Sequence, residues 1–174
     1  MEDQQLRFPI GKFEMPLSYT GDEILKWTAV IRNFPVRLRQ VTATLSETQL
    51  DTPYRPGGWT IRQVVHHLAD SHMNSIVRFK LALTEDNPTI KPYEEAGWAM
   101  LPDYQLPVEP SLQILEGVHQ HLAALFESFG EAELNRTFHH PETGADVPLK
   151  RNIALYAWHS EHHLGHIRQA LNQL

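Results

Sequence analysis

Proline decides where this chain can be helical, because a proline inside a helix removes a backbone donor and clashes with the preceding turn. Twelve prolines divide the sequence, and the long stretches between them carry apolar residues three and four apart. The first stretch opens at Thr20, where T-x-x-E with Glu23 makes a capping box, and runs through Ile24, Trp27, Ile31 and Leu38 to about Leu45. Pro35 lies inside it and is expected to kink or split the helix. A second helix opens at Thr60, again with a capping-box partner at Gln63, and carries Ile61, Val64, Val65, Leu68, Ile76 and Phe79 up to roughly Thr84.

From Glu85 to Pro110 the chain is proline-rich and aperiodic, a long connection containing Tyr93, Trp98 and Tyr104 that is expected to lie over the helices. A third helix begins near Ser111, places Leu112, Leu115, Val118, Leu122, Leu125 and Phe129 on one stripe, and stops near Gly130. Thr137 to Val147 reads as a loop or small hairpin turning about Thr143 and Gly144, and a fourth helix follows from Pro148 to the C-terminus. Four amphipathic helices imply an all-α fold: a four-helix bundle with a long connection between helices 2 and 3, in a single domain spanning residues 1–174.

Hydrophobic residues make up 41% of the chain and charged residues 21%, a globular balance that argues against disorder. The absence of cysteine removes disulfides, thiolate metal clusters and cysteine nucleophiles from consideration. A net charge of -6 with scattered Lys and Arg offers no surface for phosphates, so nucleic acid is not an expected partner. Neither a signal-peptide pattern nor a membrane-length apolar run is visible, and a cytoplasmic protein without a membrane anchor is expected. Leu155 and Trp158 read as outward apolar residues that would suit a homodimer.

Histidine is the unusual entry in the composition. Of eleven copies, seven fall within His66 to His72 and His159 to His166. On the fourth helix the apolar stripe is Ile153, Ala157, Leu164, Ile167, Leu171 and Leu174. Advancing about 100° per residue puts His163 on the flank of that stripe and His159 at its border. His162 falls nearly opposite and His166 well outside, so this pair is expected to face solvent or another chain. His159 and His163, at i and i+4, can present two imidazole nitrogens to one metal ion. On the second helix His66 points away from the stripe. His72 lies near the centre of the stripe, and His67 lies on its flank in a polar strip with Thr60, Ser71, Asn74 and Arg78. Periodicity accepts either His67 or His72 as a third ligand; a carbonyl-bonded core histidine is the alternative for His72, and a surface histidine beside Ser71 or an acid for His67.

The motifs W-T-x-R-Q-V-V-x-H-L-A-D-S-H and W-H-S-x-x-H-x-x-H-I, with LDTPYRPGGW and RFKLALTE, resemble the DinB-like superfamily in its YfiT branch, over nearly the whole chain. The resemblance implies a four-helix bundle with a three-histidine site, and it selects His67 to join His159 and His163. It also implies a homodimer and one divalent ion per chain, Zn2+ or Ni2+, both of which suit nitrogen ligands. Three neutral imidazoles leave such an ion open to water, and the branch is described as metal-dependent hydrolases acting on small molecules. An alternative implied by similar proteins is an S-transferase that joins a bacillithiol-type thiol to electrophiles. A third possibility is a bundle that the metal merely stabilises. Arg78 and Asn74 are candidate substrate contacts, Trp59 and Trp158 candidate pocket walls, and Asp70, Glu161 and Glu127 candidate partners for imidazole N–H groups. The residues assign no general base.

Overall fold

The computed structural model describes residues 2–172. Its elements are α1 (Glu2–Arg7), α2 (Gly21–Thr42), α3 (Glu47–Leu50), α4 (Ile61–Thr84), α5 (Glu95–Trp98), a 3-10 turn (Pro102–Gln105), α6 (Glu109–Ser128), α7 (Glu131–Leu134), β1 (Thr137–His140), β2 (Ala145–Pro148) and α8 (Leu149–Leu171). The four long helices are the four expected ones, and they form a four-helix bundle. Thr20 and Thr60 cap α2 and α4 through the anticipated reciprocal bonds with Glu23 and Gln63. Pro110 sits in the first turn of α6, where its missing N–H costs nothing, so that helix starts two residues earlier than read. The hairpin is present: Phe138 pairs with Val147, and Gly144 takes the turn at φ +63°. Leu174 of the fourth-helix stripe lies outside the described residues.

Pro35 does not split its helix. α2 runs unbroken from Gly21 to Thr42 with Pro35 buried inside it. The carbonyl of Ile31, which proline deprives of its usual donor, instead accepts a bond of 2.6 Å from Nδ1 of His119 on α6.

α2 packs against α6 and α8, and α4 packs against the same two helices. Helices consecutive in the chain, α2 and α4 or α6 and α8, therefore occupy opposite corners. The core falls into two apolar clusters. One gathers Phe34 and Leu38 of α2, Val64 and Leu68 of α4, Leu112 and Leu115 of α6, and Leu164 and Ile167 of α8. The other gathers Ile24, Ile31, Phe79, Leu122, Phe126, Ile153 and Tyr156. α4 and α6 both run from the first cluster to the second and are parallel, whereas α2 and α8 run the other way. A parallel neighbour demands a return along the bundle, about 36 Å for a 24-residue helix, which the long connection from 85 to 108 provides. It lies over α4 as expected: Tyr104 donates to Asp70 (2.6 Å), and Gln63 donates to the carbonyl of Ala99 (3.0 Å).

Between the two clusters α4, α6 and α8 each contribute histidine: His72, His119 and His159. This polar layer across an apolar bundle places the site.

Candidate metal centre

His67 lies in the second turn of α4, fixed by the Thr60 cap, and faces the middle of α8, where His159 and His163 stack one turn apart. The structure brings these three together: one ligand nitrogen from each lies within 4.8 Å of the others. Nε2 of His67 and Nε2 of His159 are 3.3 Å apart, and the His67 ring lies 4.8 Å from that of His163. Burial holds the His67 imidazolium down to about 4, helped by the nearby His162 and His166, and drives His159 and His163 well below the ordinary histidine value. Near neutral pH these are neutral imidazoles, and one of the facing Nε2 atoms of His67 and His159 donates its proton to the other. Nδ1 of His67 is buried without a partner. A divalent cation suits this donor set, since three neutral imidazole nitrogens within reach of one another are ligands it prefers.

His72, the other α4 candidate, sits deeper and is fully buried. Its Nδ1 lies 2.9 Å from Nε2 of His119 and its Nε2 lies 3.3 Å from Nδ1 of His159. It touches a ligand candidate and not a backbone carbonyl; the carbonyl is one histidine further on.

His162 and His166 are not outward-facing. They are 7% and 3% exposed, because segments distant in sequence cover that side of α8. Nε2 of His166 donates to the carbonyl of Arg7 (3.1 Å), Tyr54 stacks on the His166 ring at 3.9 Å, and Phe8 and Trp158 lie against His162. His166 also places Nδ1 at 3.3 Å from Nδ1 of His163, and His162, His163 and His166 form a second close group. His66 is buried as well, beneath the long connection, with Ser111 and the Leu106 carbonyl as partners. Trp158 is half-buried against Phe13 and not presented outward.

The three ligand candidates open into a cavity of about 720 Å³ whose walls include Tyr54, Trp59 and Trp158, with Arg7, Lys12 and Arg55 at its rim. Both tryptophans thus take the wall positions expected of them. Arg78 and Asn74 do not line this cavity; Asn74 borders a separate depression with Lys91, Tyr93 and Glu142. None of the three acids read as imidazole partners contacts a ligand candidate. Glu161 and Glu127 turn to Arg37 and Arg32 on α2, and Asp70 accepts from Tyr104. Guanidinium partners on α2 draw the two glutamates away from the site, and the Tyr104 hydroxyl of the long connection holds Asp70.

Two residues escaped the sequence reading. His119 occupies a core position between Leu115 and Leu122, and a polar side chain inside an apolar stripe was its signal. Glu95, in the aperiodic connection, lines the histidine cavity and is the one acid among its described lining residues. It stands exposed at the surface, and partial desolvation together with the nearby Glu142 raises its carboxyl above the usual range, with Arg78 opposing. No sequence pattern marked it.

Comparison with known proteins follows the same lines. A family model described as the DinB superfamily matches residues 31–167. A protein of Bacillus mycoides named "Putative metal-dependent hydrolase" is 51% identical over 172 residues, covering 97% of this chain and 99% of its own. A Bacillus cereus protein of the same name is 52% identical, covering 97% of each. Among solved structures, YfiT from Bacillus subtilis superposes with a TM-score of 0.94 at 42% identity over 97% of each chain, and is described as "a probable metal-dependent hydrolase with an unusual four-helix bundle topology".

Proposed function

The chain belongs to the DinB superfamily, and from that footing we propose that it is a metal-dependent hydrolase holding one divalent ion, Zn2+ or Ni2+, between His67, His159 and His163. The observation that carries this reading is the convergence of three neutral imidazoles, two buried and the half-buried His159, on an open cavity. An ion with three protein ligands supplies Lewis acidity, polarising a carbonyl and acidifying water.

The chain's own residues supply the rest. The three histidines, kept neutral by burial, stay available as ligands well into mildly acidic solution. Trp59 and Trp158 wall the substrate space and thin the water around it. Glu95, with its raised affinity for a proton, takes one from the attacking water and returns it to the departing alcohol or amine as the acyl bond breaks. Arg7, Lys12 and Arg55 give the rim a positive balance that favours small substrates with an anionic group.

The test is to load purified protein with Zn2+ or Ni2+ and follow a panel of ester and amide substrates, with and without bacillithiol. Hydrolysis by water alone, lost in His67→Ala, His159→Ala and His163→Ala together with bound metal, supports the proposal. Turnover only with thiol, yielding the thiol conjugate, replaces it with S-transfer, and stoichiometric metal without turnover assigns the ion to stabilising the fold.

A further inference from the structure

The histidines around the three ligand candidates form two chains of hydrogen bonds, and each ends on a backbone carbonyl. A carbonyl can only accept, so it dictates where every proton in its chain resides. In the first, the carbonyl of Ile31, freed by Pro35, accepts from Nδ1–H of His119 at 2.6 Å. His119 is neutral in its buried position, with its pKa lowered to about 4 by burial, so its Nε2 is bare and accepts from Nδ1–H of His72 at 2.9 Å. His72, fully buried and giving its Nδ1 proton to His119, then offers a bare Nε2 to Nδ1–H of His159 at 3.3 Å. In the second, the carbonyl of Arg7 accepts from Nε2–H of His166 at 3.1 Å, which leaves Nδ1 of His166 to accept from Nδ1–H of His163 at 3.3 Å.

We infer that His72, His119 and His166 are positioning residues that hold His159 and His163 as Nδ1–H tautomers, with their Nε2 lone pairs turned into the site. The inference rests on the metal site proposed above and deepens it, and it explains the order of the histidine layer. The terminal acceptors are the Ile31 carbonyl, freed by Pro35 in α2, and the Arg7 carbonyl of the N-terminal segment. It also ranks the two histidine groups. His166 uses Nδ1 to support His163, so it is committed to the first site and is not free to join His162 and His163 in a second one. Phe34 stacks on both His72 and His119 (ring separations 6.1 and 5.4 Å), which keeps the longer chain in register.

The experiment uses full-length protein, Zn2+ alone as the probe, and two substitutions at His119, which touches neither a ligand candidate nor the histidine cavity. His119→Phe keeps a ring against Phe34 and removes the acceptor for His72. His119→Gln can set its amide oxygen where Nε2 stands and restore that acceptor. Chelator-competition titrations should show Zn2+ binding weakened roughly 10- to 100-fold in His119→Phe and largely recovered in His119→Gln. Long-range 15N spectra of histidine-labelled, metal-free wild-type protein should show Nδ1 protonated in His159 and His163. Affinity within about twofold of wild type in His119→Phe, equal losses in both variants, or Nε2–H at His159 would overturn the inference. If wild-type protein bound no Zn2+, the metal reading would fall instead, and the 15N spectra would still decide whether the histidine chains set the tautomers.

Discussion

Nε2 of His67 and Nε2 of His159 meet at 3.3 Å across the contact between α4 and α8, although 92 residues separate them in the chain. Two neutral imidazoles at that distance share one hydrogen bond when one of them carries its proton at Nε2, and a cation bound between them takes the place of that proton.

Metal should therefore stabilise the fold. Ligand held at about 100 times its Kd adds about 2.7 kcal/mol to a protein that binds it only when folded. Zn2+ should raise the thermal midpoint of the wild type by several degrees and leave that of His159→Ala where it was. Equal shifts in both proteins, measured by calorimetry, would place the ion elsewhere.

Glu95 is assigned the proton transfer. Glu95→Gln keeps the shape of the cavity wall and removes the base, so kcat should fall by about 10²–10⁴ with KM little changed. A drop confined to KM would make Glu95 a substrate contact.

Acid should destabilise the metal-free protein in a definite window. His119 titrates near 6.5 when unfolded but at about 4 in the fold, where it faces the Ile31 carbonyl, His72 and the Phe34 ring. Its stabilising contribution is complete above about pH 6.5 and is lost as pH falls toward 4, because the unfolded chain takes the proton first; the slope is at most about 1.4 kcal/mol per pH unit for one histidine. Urea unfolding of wild type and His119→Gln between pH 7.5 and 4.5 should show a shallower loss in the variant. Parallel curves would contradict this.

Gly165 lets the N-terminal segment lie on α8. A Cβ there would stand 2.9 Å from Cγ and 3.3 Å from Cβ of Pro9, closer than atoms tolerate, so Gly165→Ala must push that segment outward. Alanine is favoured over glycine in a helix by about 1 kcal/mol, so global stability should hold or rise. The bond from His166 to the Arg7 carbonyl should weaken, and faster amide exchange near residues 7–10 together with weaker Zn2+ binding would be the sign. Unchanged exchange would mean the segment is not seated by this contact.

The sequence by itself determined the four long helices, their caps, the hairpin and the pairing of His159 with His163. All of these are set within a turn or two of chain, by proline placement, capping residues and the 3.6-residue period. The same local rules misjudged His162 and His166, because periodicity tells which way a side chain points and not what waits there. Arg7, Phe8 and Tyr54 cover that face, and none of them is near it in sequence. Family resemblance was needed to select His67 over His72; the tertiary structure gives each a place, one facing His159 at Nε2 and the other behind it at Nδ1. The places of His119, Pro35 and Glu95 belong wholly to the folded molecule. A freed carbonyl, an inner acceptor or a carboxyl beside the histidine cavity is a relation between elements, and it exists only once α2, α6 and the long connection have closed around α4 and α8.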